Sequence, residues 1–376
     1  MKKLVPIFII LFSGIRCKEE YIPPTISSDS NILVVDGMIL SGNDSSIIKI
    51  SRTRNLSDTS LPVYELNAKV TVLGSSGIEY FMTEQGRGRY YFDQLYLDLS
   101  QQYQLKIITS DGNEFRSDMS VLKTSPPIDS IFWRQNSDGV NIYLDSHDPN
   151  NNTKYYRWDY LETWSYLSAY YSSLNYVNDL VVYRGVSDQV YTCYQSQSSS
   201  SINVATTAKL SNDVIQKQLI ANVPTSSEKI SSKYSIQVRQ YAIQKEGYNY
   251  WENLKKNTEQ LGTIFDLQPF TELGNIRCMN NPHLNCLGYI SFSTLQEQRI
   301  FITNSEVNSW NYYPYYGECV LDTIPPSNLP TYFPPGGGPY NYSLIGLNFG
   351  NYVLSTKACV DCSDHGGTEI KPSYWP

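Results

Sequence analysis

The segment YQLKIITSDGNEFRS (residues 103–117) places two strand-like runs on either side of a Ser-Asp-Gly-Asn turn. Asp, Gly and Asn favour tight turns, whereas Tyr, Phe and Ile favour extended backbone. The same pattern recurs upstream, where apolar runs separated by turn residues lie at 32–40, 47–51, 68–73, 78–82 and 90–92. Short strands at this spacing predict an Ig-like β-sandwich over residues 31–125, closed by Ser125-Pro126-Pro127 because consecutive prolines cannot continue a central strand.

A second, larger β unit is predicted over residues 126–376. Its strand-like runs lie at 128–134, 140–144, 202–205, 234–241, 287–292 and 299–302. Residues 246–261 show the clearest helical periodicity, with Tyr250, Trp251, Leu254 and Leu261 on one face. A short helix is also predicted over 211–219, because Ser211 or Asn212 could serve as its N-cap.

The predicted fold class is therefore mainly β, with two β-sandwich units, one amphipathic helix and a loop-rich C-terminal tail. The tail begins near Tyr312 and is rich in Tyr, Pro and Gly. A length of 376 residues fits two domains. Tyrosine occurs 32 times, which favours β-structure.

Charge and histidine content exclude several functional classes. The chain carries 29 Lys and Arg against 36 Asp and Glu, a net charge of −7. An acidic chain lacks the positive footprint of a nucleic-acid-binding protein, so no nucleic-acid partner is expected. With only three histidines, a His-rich metal site is not expected either. No cofactor-binding motif is found.

The N-terminal residues 1–17 predict an export signal ending in a lipidated cysteine. Lys2 and Lys3 precede the apolar run 4–12, which is too short to span a bilayer but suits a secretory signal. Cys17 stands where a bacterial lipoprotein is acylated. The alternative is an ordinary signal peptide cleaved elsewhere, because Ile15-Arg16 replace the small residues that usually precede such a cysteine.

Residues 18–30 predict an extended linker, which Pro23-Pro24 stiffens. It opens with Lys18, Glu19 and Glu20, a sequence similar to the signal that exports lipoproteins of Bacteroidota to the outer face of the outer membrane. The alternative is a solvated charged tether.

Six cysteines remain once Cys17 is acylated, and in an exported chain an even number predicts disulfides. Cys278 and Cys286 flank a turn-like insert, so a local bridge between them is predicted. One or both of Cys359 and Cys362 are predicted to pair with Cys193 and Cys319 and to hold the tail down. Less favoured alternatives for Cys359 and Cys362 are a redox pair and a zinc site.

The sequence contains no nucleophile elbow and no phosphate-binding loop. Asp148, Asn150 and Asn152 alternate as in a calcium loop, and they form a weak metal candidate. However, Thr153 occupies the sixth position, where an EF-hand needs Gly. Asx turns explain the run equally well.

Residues 155–176 form the most aromatic stretch of the chain. Such residues can stack on glycans or peptides because each offers a flat apolar face with a polar tip. The simpler interpretation is that they fill the core of the second unit. The candidate binding residues are Tyr155, Tyr156, Trp158, Tyr160 and Trp164.

Several strings in this order and spacing resemble a Bacteroidota outer-membrane lipoprotein family catalogued as domain of unknown function 4249. They are YIPP (21–24), LVVDG (33–37), TSPPIDSI (124–131), HDP (147–149), YYRW (155–158) and YWENL (250–254). The resemblance implies a surface lipoprotein often encoded beside TonB-dependent transporters. It also implies an N-terminal sandwich like the regulatory domain of carboxypeptidases. It carries over no catalytic residue.

The leading hypothesis is a non-enzymatic lipoprotein anchored in the outer membrane, which assists a TonB-dependent transporter by binding substrate or capping the barrel. The second hypothesis is a surface adhesin or glycan-binding module that uses the aromatic stretch 155–176. The third is an enzyme with an unfamiliar acidic site.

Overall fold

The computed structural model describes residues 31–54, 62–259, 274–310, 312, 316–334 and 341–376. The predicted signal segment, Cys17, the residues Lys18, Glu19 and Glu20, and the linker 18–30 lie outside the described residues. No described helix is both long and apolar enough to cross a membrane.

The described chain is mainly β-structure, which confirms the predicted fold class. Its α-helices are α1 (Lys245–Glu259), α2 (Leu329–Tyr332) and α3 (Lys357–Val360). The strands are β1 (Leu33–Leu40), β2 (Ser46–Arg52), β3 (Val63–Tyr64), β4 (Lys69–Gly74), β5 (Glu79–Phe81), β6 (Thr83–Glu84), β7 (Arg89–Phe92), β8 (Gln102–Ile108), β9 (Glu114–Ser117), β10 (Ser120–Val121), β11 (Ile128–Asn136), β12 (Gly139–His147), β13 (Tyr155–Leu167), β14 (Leu174–Val177), β15 (Leu180–Tyr183), β16 (Thr192–Ser198), β17 (Asn203–Thr206), β18 (Val214–Pro224), β19 (Lys233–Ala242), β20 (Ile276–Cys278), β21 (Cys286–Leu287), β22 (Phe292–Ser293), β23 (Leu295–Thr303), β24 (Asp322–Ile324), β25 (Tyr342–Asn348) and β26 (Asn351–Thr356).

The first sandwich packs two sheets around one apolar core. One sheet runs in the order β21-β1-β2-β7-β6, and the other runs β20-β9-β8-β4-β5. Side chains alternate along each strand, so Ile48 and Ile50 of the first sheet meet Leu105 and Ile107 of the second, all of them buried. Burial of such side chains stabilises a fold by about 1.5–3 kcal/mol each.

This sandwich is completed by a segment far away in the sequence. Strand β20 pairs with β9, while β21 and β22 run parallel to β1. The predicted boundary at residue 125 therefore does not enclose the sandwich, and the run 287–292 belongs to it rather than to the second unit. Local patterns could not predict this because the pairing is non-local.

The second unit also packs two sheets, ordered β11-β12-β18 and β16-β13-β19-β23, with β17 also paired to β13. The helix predicted over residues 211–219 is wrong, because β18 occupies most of that segment and pairs with β12. Its Ile215, Ile220 and Val223 enter the core. This pairing and burial outweigh the local N-cap signal.

Helix α1 lies at the junction of the two units. It begins one residue before the predicted position, and the predicted last residues, 260 and 261, lie outside the described residues. Its Tyr248 and Trp251 pack on a small cluster formed by Met38 and Leu40 of β1 with Tyr241 and Ile243 from β19 and the residue after it. The helix therefore packs the first sandwich against the second unit.

Part of the tail, predicted as loops, forms a third small body. We define the C-terminal body as the β14–β15 hairpin and the sheet β24-β26-β25, which share a core of Leu174, Ile324, Leu329, Leu344 and Leu354. Backbone hydrogen bonds link the two parts, because the Ser173 amide donates to the Ile345 carbonyl at 2.8 Å.

Two disulfides tie this body down, Cys193–Cys362 and Cys319–Cys359. The first attaches the tail to β16, and the second attaches the segment before β24 to α3. The predicted bridge between Cys278 and Cys286 is absent, and both are buried free thiols. Cys278 lies on β20 in one sheet and Cys286 lies on β21 in the other, so the insert between them spans the two sheets rather than forming a local turn within one.

Alkylation tests the thiol assignment. Burial raises the pKa of Cys286 to about 12, so its reactive thiolate is scarce at neutral pH. We expect Cys278 and Cys286 to resist iodoacetamide in the native protein and to react fully after unfolding without reductant, as measured by peptide mass spectrometry. Detection of a disulfide-linked peptide pair that contains both residues would show that the predicted local bridge exists and that the two thiols are not free.

A substitution at Gly288 tests how closely the segment that carries β21 and β22 packs against β1. Gly288 has φ +135° and lies so close to β1 that a Cβ would collide with the Val35 carbonyl oxygen. We expect Gly288→Ala to lower the free energy of unfolding by roughly 2–4 kcal/mol in chemical denaturation. The control is Gly77→Ala, where φ is +87° and the space is open, so only the backbone cost of about 1 kcal/mol should appear. Equal losses in both variants would contradict the close approach.

Candidate interaction surface

The aromatic stretch predicted to bind ligands is mostly core. Trp158 is 1% exposed and stacks on the buried Tyr156, with ring centroids 5.5 Å apart and planes 4° apart. Its indole N–H donates to the Gln240 side-chain oxygen at 2.8 Å. Burial, together with the nearby Asp213 carboxylate, raises the pKa of Tyr156 far above its ordinary value.

Trp164 is also buried, and its indole N–H donates to Glu228 at 3.1 Å. Tyr155 packs on Tyr248 of α1 with ring centroids 5.4 Å apart, and Tyr160 packs against the second core. The five predicted residues therefore do not form an exposed stacking surface. The strand β13 that carries them is central in its sheet, so its alternate side chains must face the core.

The weak calcium candidate is a hydrogen-bonded turn. One oxygen of the Asp148 carboxylate accepts the Asn150 amide N–H at 2.9 Å, and the other accepts the Asn152 and Thr153 amides. Although desolvation opposes it, these backbone donors lower the pKa of Asp148. Among the described residues, no cluster of three or more His, Cys, Asp or Glu is placed to hold a metal ion.

Several exposed apolar side chains lie on the C-terminal body, and others lie on the first sandwich. We call the hairpin surface the set of exposed apolar residues on the two hairpins of the C-terminal body and on the turn after β15. Val186 is 96% exposed and Phe349 is 99% exposed. The members of the hairpin surface are Val177, Leu180, Val182, Tyr183, Val186, Leu347 and Phe349. Exposed apolar groups that lie together on one body are candidates for contact with a partner.

Phe349 occupies a costly backbone position. It forms the β25–β26 turn with Gly350, with φ +48° and +82°, between the paired Asn348 and Asn351. Two positive φ angles define the type I′ turn, which strongly prefers Asn-Gly. A bulky side chain in this conformation costs about 1 kcal/mol and here gains no packing. Backbone strain that no packing within the chain offsets makes Phe349 a candidate functional residue.

Turn residues and hydrogen bonds fix the backbone that carries several of these exposed side chains. The β14–β15 turn at Asn178 and Asp179 also has two positive φ angles, with residues suited to them. Arg184 donates to the Ser172 hydroxyl and to the Asp188 carbonyl, both at 3.0 Å, which fixes the turn that carries Val186. A fixed apolar surface loses little conformational entropy on binding.

Sequence reasoning missed the hairpin surface, although part of its signal is present. The run Leu180-Val181-Val182-Tyr183 follows an Asn-Asp turn, which is typical of a hairpin. Asn348-Phe349-Gly350-Asn351 places a phenylalanine before glycine in a turn. The missing information was exposure, because the pattern alone does not show that these side chains face solvent.

The fold and surface define a class: a mainly β protein with two sandwich units and a disulfide-tied C-terminal body that presents apolar hairpins. Residues 18–299 match the model of a family described as Domain of unknown function (DUF4249). The chain belongs to this family, which confirms the resemblance seen in its sequence motifs.

Comparison with other known proteins adds little. No curated protein matches this chain. Among solved structures, the chicken interferon gamma receptor alpha chain is 10% identical, with 56% of this chain and 88% of that chain covered at a TM-score of 0.14. Chitinase ChiA74 from Bacillus thuringiensis is 11% identical, with 47% and 29% covered at a TM-score of 0.14. Family membership is therefore what relates this chain to known proteins.

A substitution at Phe349 tests whether the backbone of the β25–β26 turn is strained. We expect Phe349→Asn to raise the free energy of unfolding by about 1 kcal/mol, because Asn tolerates positive φ and no packing is lost. Chemical denaturation of the purified variant measures the change. A loss of stability would show that Phe349 packs within its own chain, and the hairpin surface would then lose its main feature.

Proposed function

We propose that this protein is a non-enzymatic lipoprotein of the outer membrane surface and an accessory, substrate-capturing partner of a TonB-dependent transporter. Acylated Cys17 anchors it, and the hairpin surface contacts the barrel. The proposal combines the signal-like residues 1–17, the Lys18-Glu19-Glu20 sequence and the family resemblance with one structural observation.

That observation is the hairpin surface itself. An apolar surface that includes a strained Phe349 is unfavourable for an isolated soluble protein and is explained by a partner that covers it. Tyr183 and Phe349 are of the residue type that anchors protein interfaces. The glycan-binding alternative has less support, because Trp158 and Trp164 are buried.

The tether permits this contact. Residues 18–30 separate Cys17 from the first described residue, and thirteen residues reach at most roughly 40 Å. A tether of this length would allow the hairpin surface to reach a neighbouring barrel while the chain stays attached to the membrane.

Capture from the native membrane tests the partner. We expect the tagged protein, solubilised in mild detergent, to co-purify with a TonB-dependent barrel, and Phe349→Asn to reduce the recovered barrel about tenfold. The matched control is Tyr96→Ala, which removes an exposed aromatic side chain from the first sandwich and should leave recovery unchanged. Recovery of the protein alone would contradict the proposal, as would equal losses in both variants.

The anchor is tested separately. Mass spectrometry of the mature N-terminus should find an acylated Cys17, and protease treatment of intact cells should digest the protein. Cys17→Ser should abolish acylation and release the chain from the membrane fraction. An unacylated native protein with residue 17 removed would overturn the anchoring.

A further inference from the structure

A polar cleft of about 570 Å³ lies between the first sandwich and the second unit. Strands β1, β2 and β7 form one wall, and β13 and β19 form the other. Trp251 of α1 and the residues 198–202 also line it. Clefts of this volume between domains are frequent sites for small ligands.

The first wall carries a row of charges across three strands. Asp36 lies opposite Lys49 on the neighbouring strand, and Lys49 lies opposite Arg89 on the next. All three are exposed, while their sequence neighbours Val35, Ile48 and Tyr90 are buried in the core. Directly opposite side chains share one face, so Lys49 and Arg89 place two positive charges side by side. Like charges in this arrangement destabilise a sheet.

The second wall carries a matching set. Arg157 lies opposite Tyr241, and Asp159 lies opposite Arg239. The Asp159 carboxylate pairs with the Arg239 guanidinium and also accepts the Tyr241 hydroxyl at 3.4 Å. Among the residues that the structure describes, Arg157 has no carboxylate partner. Its guanidinium carbon lies 3.9 Å from the centre of the Trp251 ring, which holds the charge in place.

The cleft therefore has an excess of positive charge. It contains Lys49, Arg89, Arg157 and Arg239 but only the carboxylates of Asp36 and Asp159. Asp159 is taken by Arg239, and Asp36 lies 4.0 Å from the Lys49 ammonium. Within the described part of the chain, Arg89 and Arg157 form no ion pair. A positive cleft on a chain of net charge −7 concentrates anions locally.

We infer that this cleft binds a small organic anion through a carboxylate or phosphate group held between Arg89 and Arg157. The guanidinium group suits both anions because it presents paired N–H donors to two oxygens. The hydroxyls of Ser199 and Ser200, which also line the cleft, offer further donors to a polar ligand. As a substrate site the cleft rests on the proposed capturing role, but its binding can be measured without a transporter.

The test is isothermal titration calorimetry on the purified mature protein at a fixed ionic strength of about 0.1 M. The probes are citrate, pyrophosphate and digalacturonate, with galactobiose as the uncharged counterpart of digalacturonate. We expect at least one anion to bind and galactobiose not to bind. Pyrophosphate alone would assign a phosphate ligand, and citrate or digalacturonate would assign a carboxylate ligand. Tryptophan fluorescence should change with binding because Arg157 stacks on Trp251.

Two variants locate the site. Arg89→Gln and Arg157→Gln should each weaken binding about tenfold or more, because each removes a charged donor. Arg89 is exposed, so its variant keeps the test valid if Arg157→Gln fails to fold. The matched control is Arg134→Gln, whose guanidinium also lies over an aromatic ring, 6.0 Å from Phe132, but outside the cleft. Its binding should be unchanged.

Three results would overturn the inference. They are a failure of all three anions to bind, equal affinity for galactobiose and digalacturonate, and an equal loss of affinity in the Arg134 and Arg89 variants. None of these results would affect the capture of a barrel by the hairpin surface. Failure of that capture would likewise leave the anion measurement standing.

Discussion

The return of residues 274–293 to the first sandwich is the constraint on which the rest of the structure depends. The chain leaves this sandwich after β10, builds most of the second unit, and then supplies β20, β21 and β22. Ordering such a distant segment costs loop-closure entropy, which burial of Ile276, Ile290 and Phe292 in the first core offsets. The first core is therefore not complete from a contiguous sequence, and the returning segment interrupts the stretch of chain that forms the second core.

This constraint also builds the cleft. With β1 held between β2 and the returning strands, Met38 and Leu40 pack on Tyr241 and Ile243 of the second unit. The outer face of the first sheet is thereby fixed opposite β13 and β19. Trp251 extends from α1 into the same junction and holds Arg157. Two charged rows that are far apart in sequence thus face each other across a space of ligand size.

The hairpin surface and the cleft differ in polarity and charge. The hairpin surface is apolar and lies on a body that the disulfide Cys193–Cys362 attaches to β16 and that Cys319–Cys359 cross-links internally. The cleft is polar and cationic, and it lies at the junction of the two larger units. An arrangement in which one region contacts a protein and the other holds a ligand suits a capturing role. The strained Phe349 and the adjacent charges of Lys49 and Arg89 each impose a folding cost that such contacts would explain.

The sequence by itself determined the mainly β class, the strand–turn–strand pattern at 103–117 and most of helix α1, because these depend on local propensity and periodicity. Its ordered motifs also determined the family. Only the tertiary structure decided the strand at 214–224, where pairing with β12 outweighed the N-cap signal. Likewise, only the fold decided that Trp158 is buried, that Cys278 and Cys286 lie on different sheets, and that Arg89 and Arg157 line one cleft. Burial and long-range strand pairing depend on which segments meet in space, and local sequence carries no record of that.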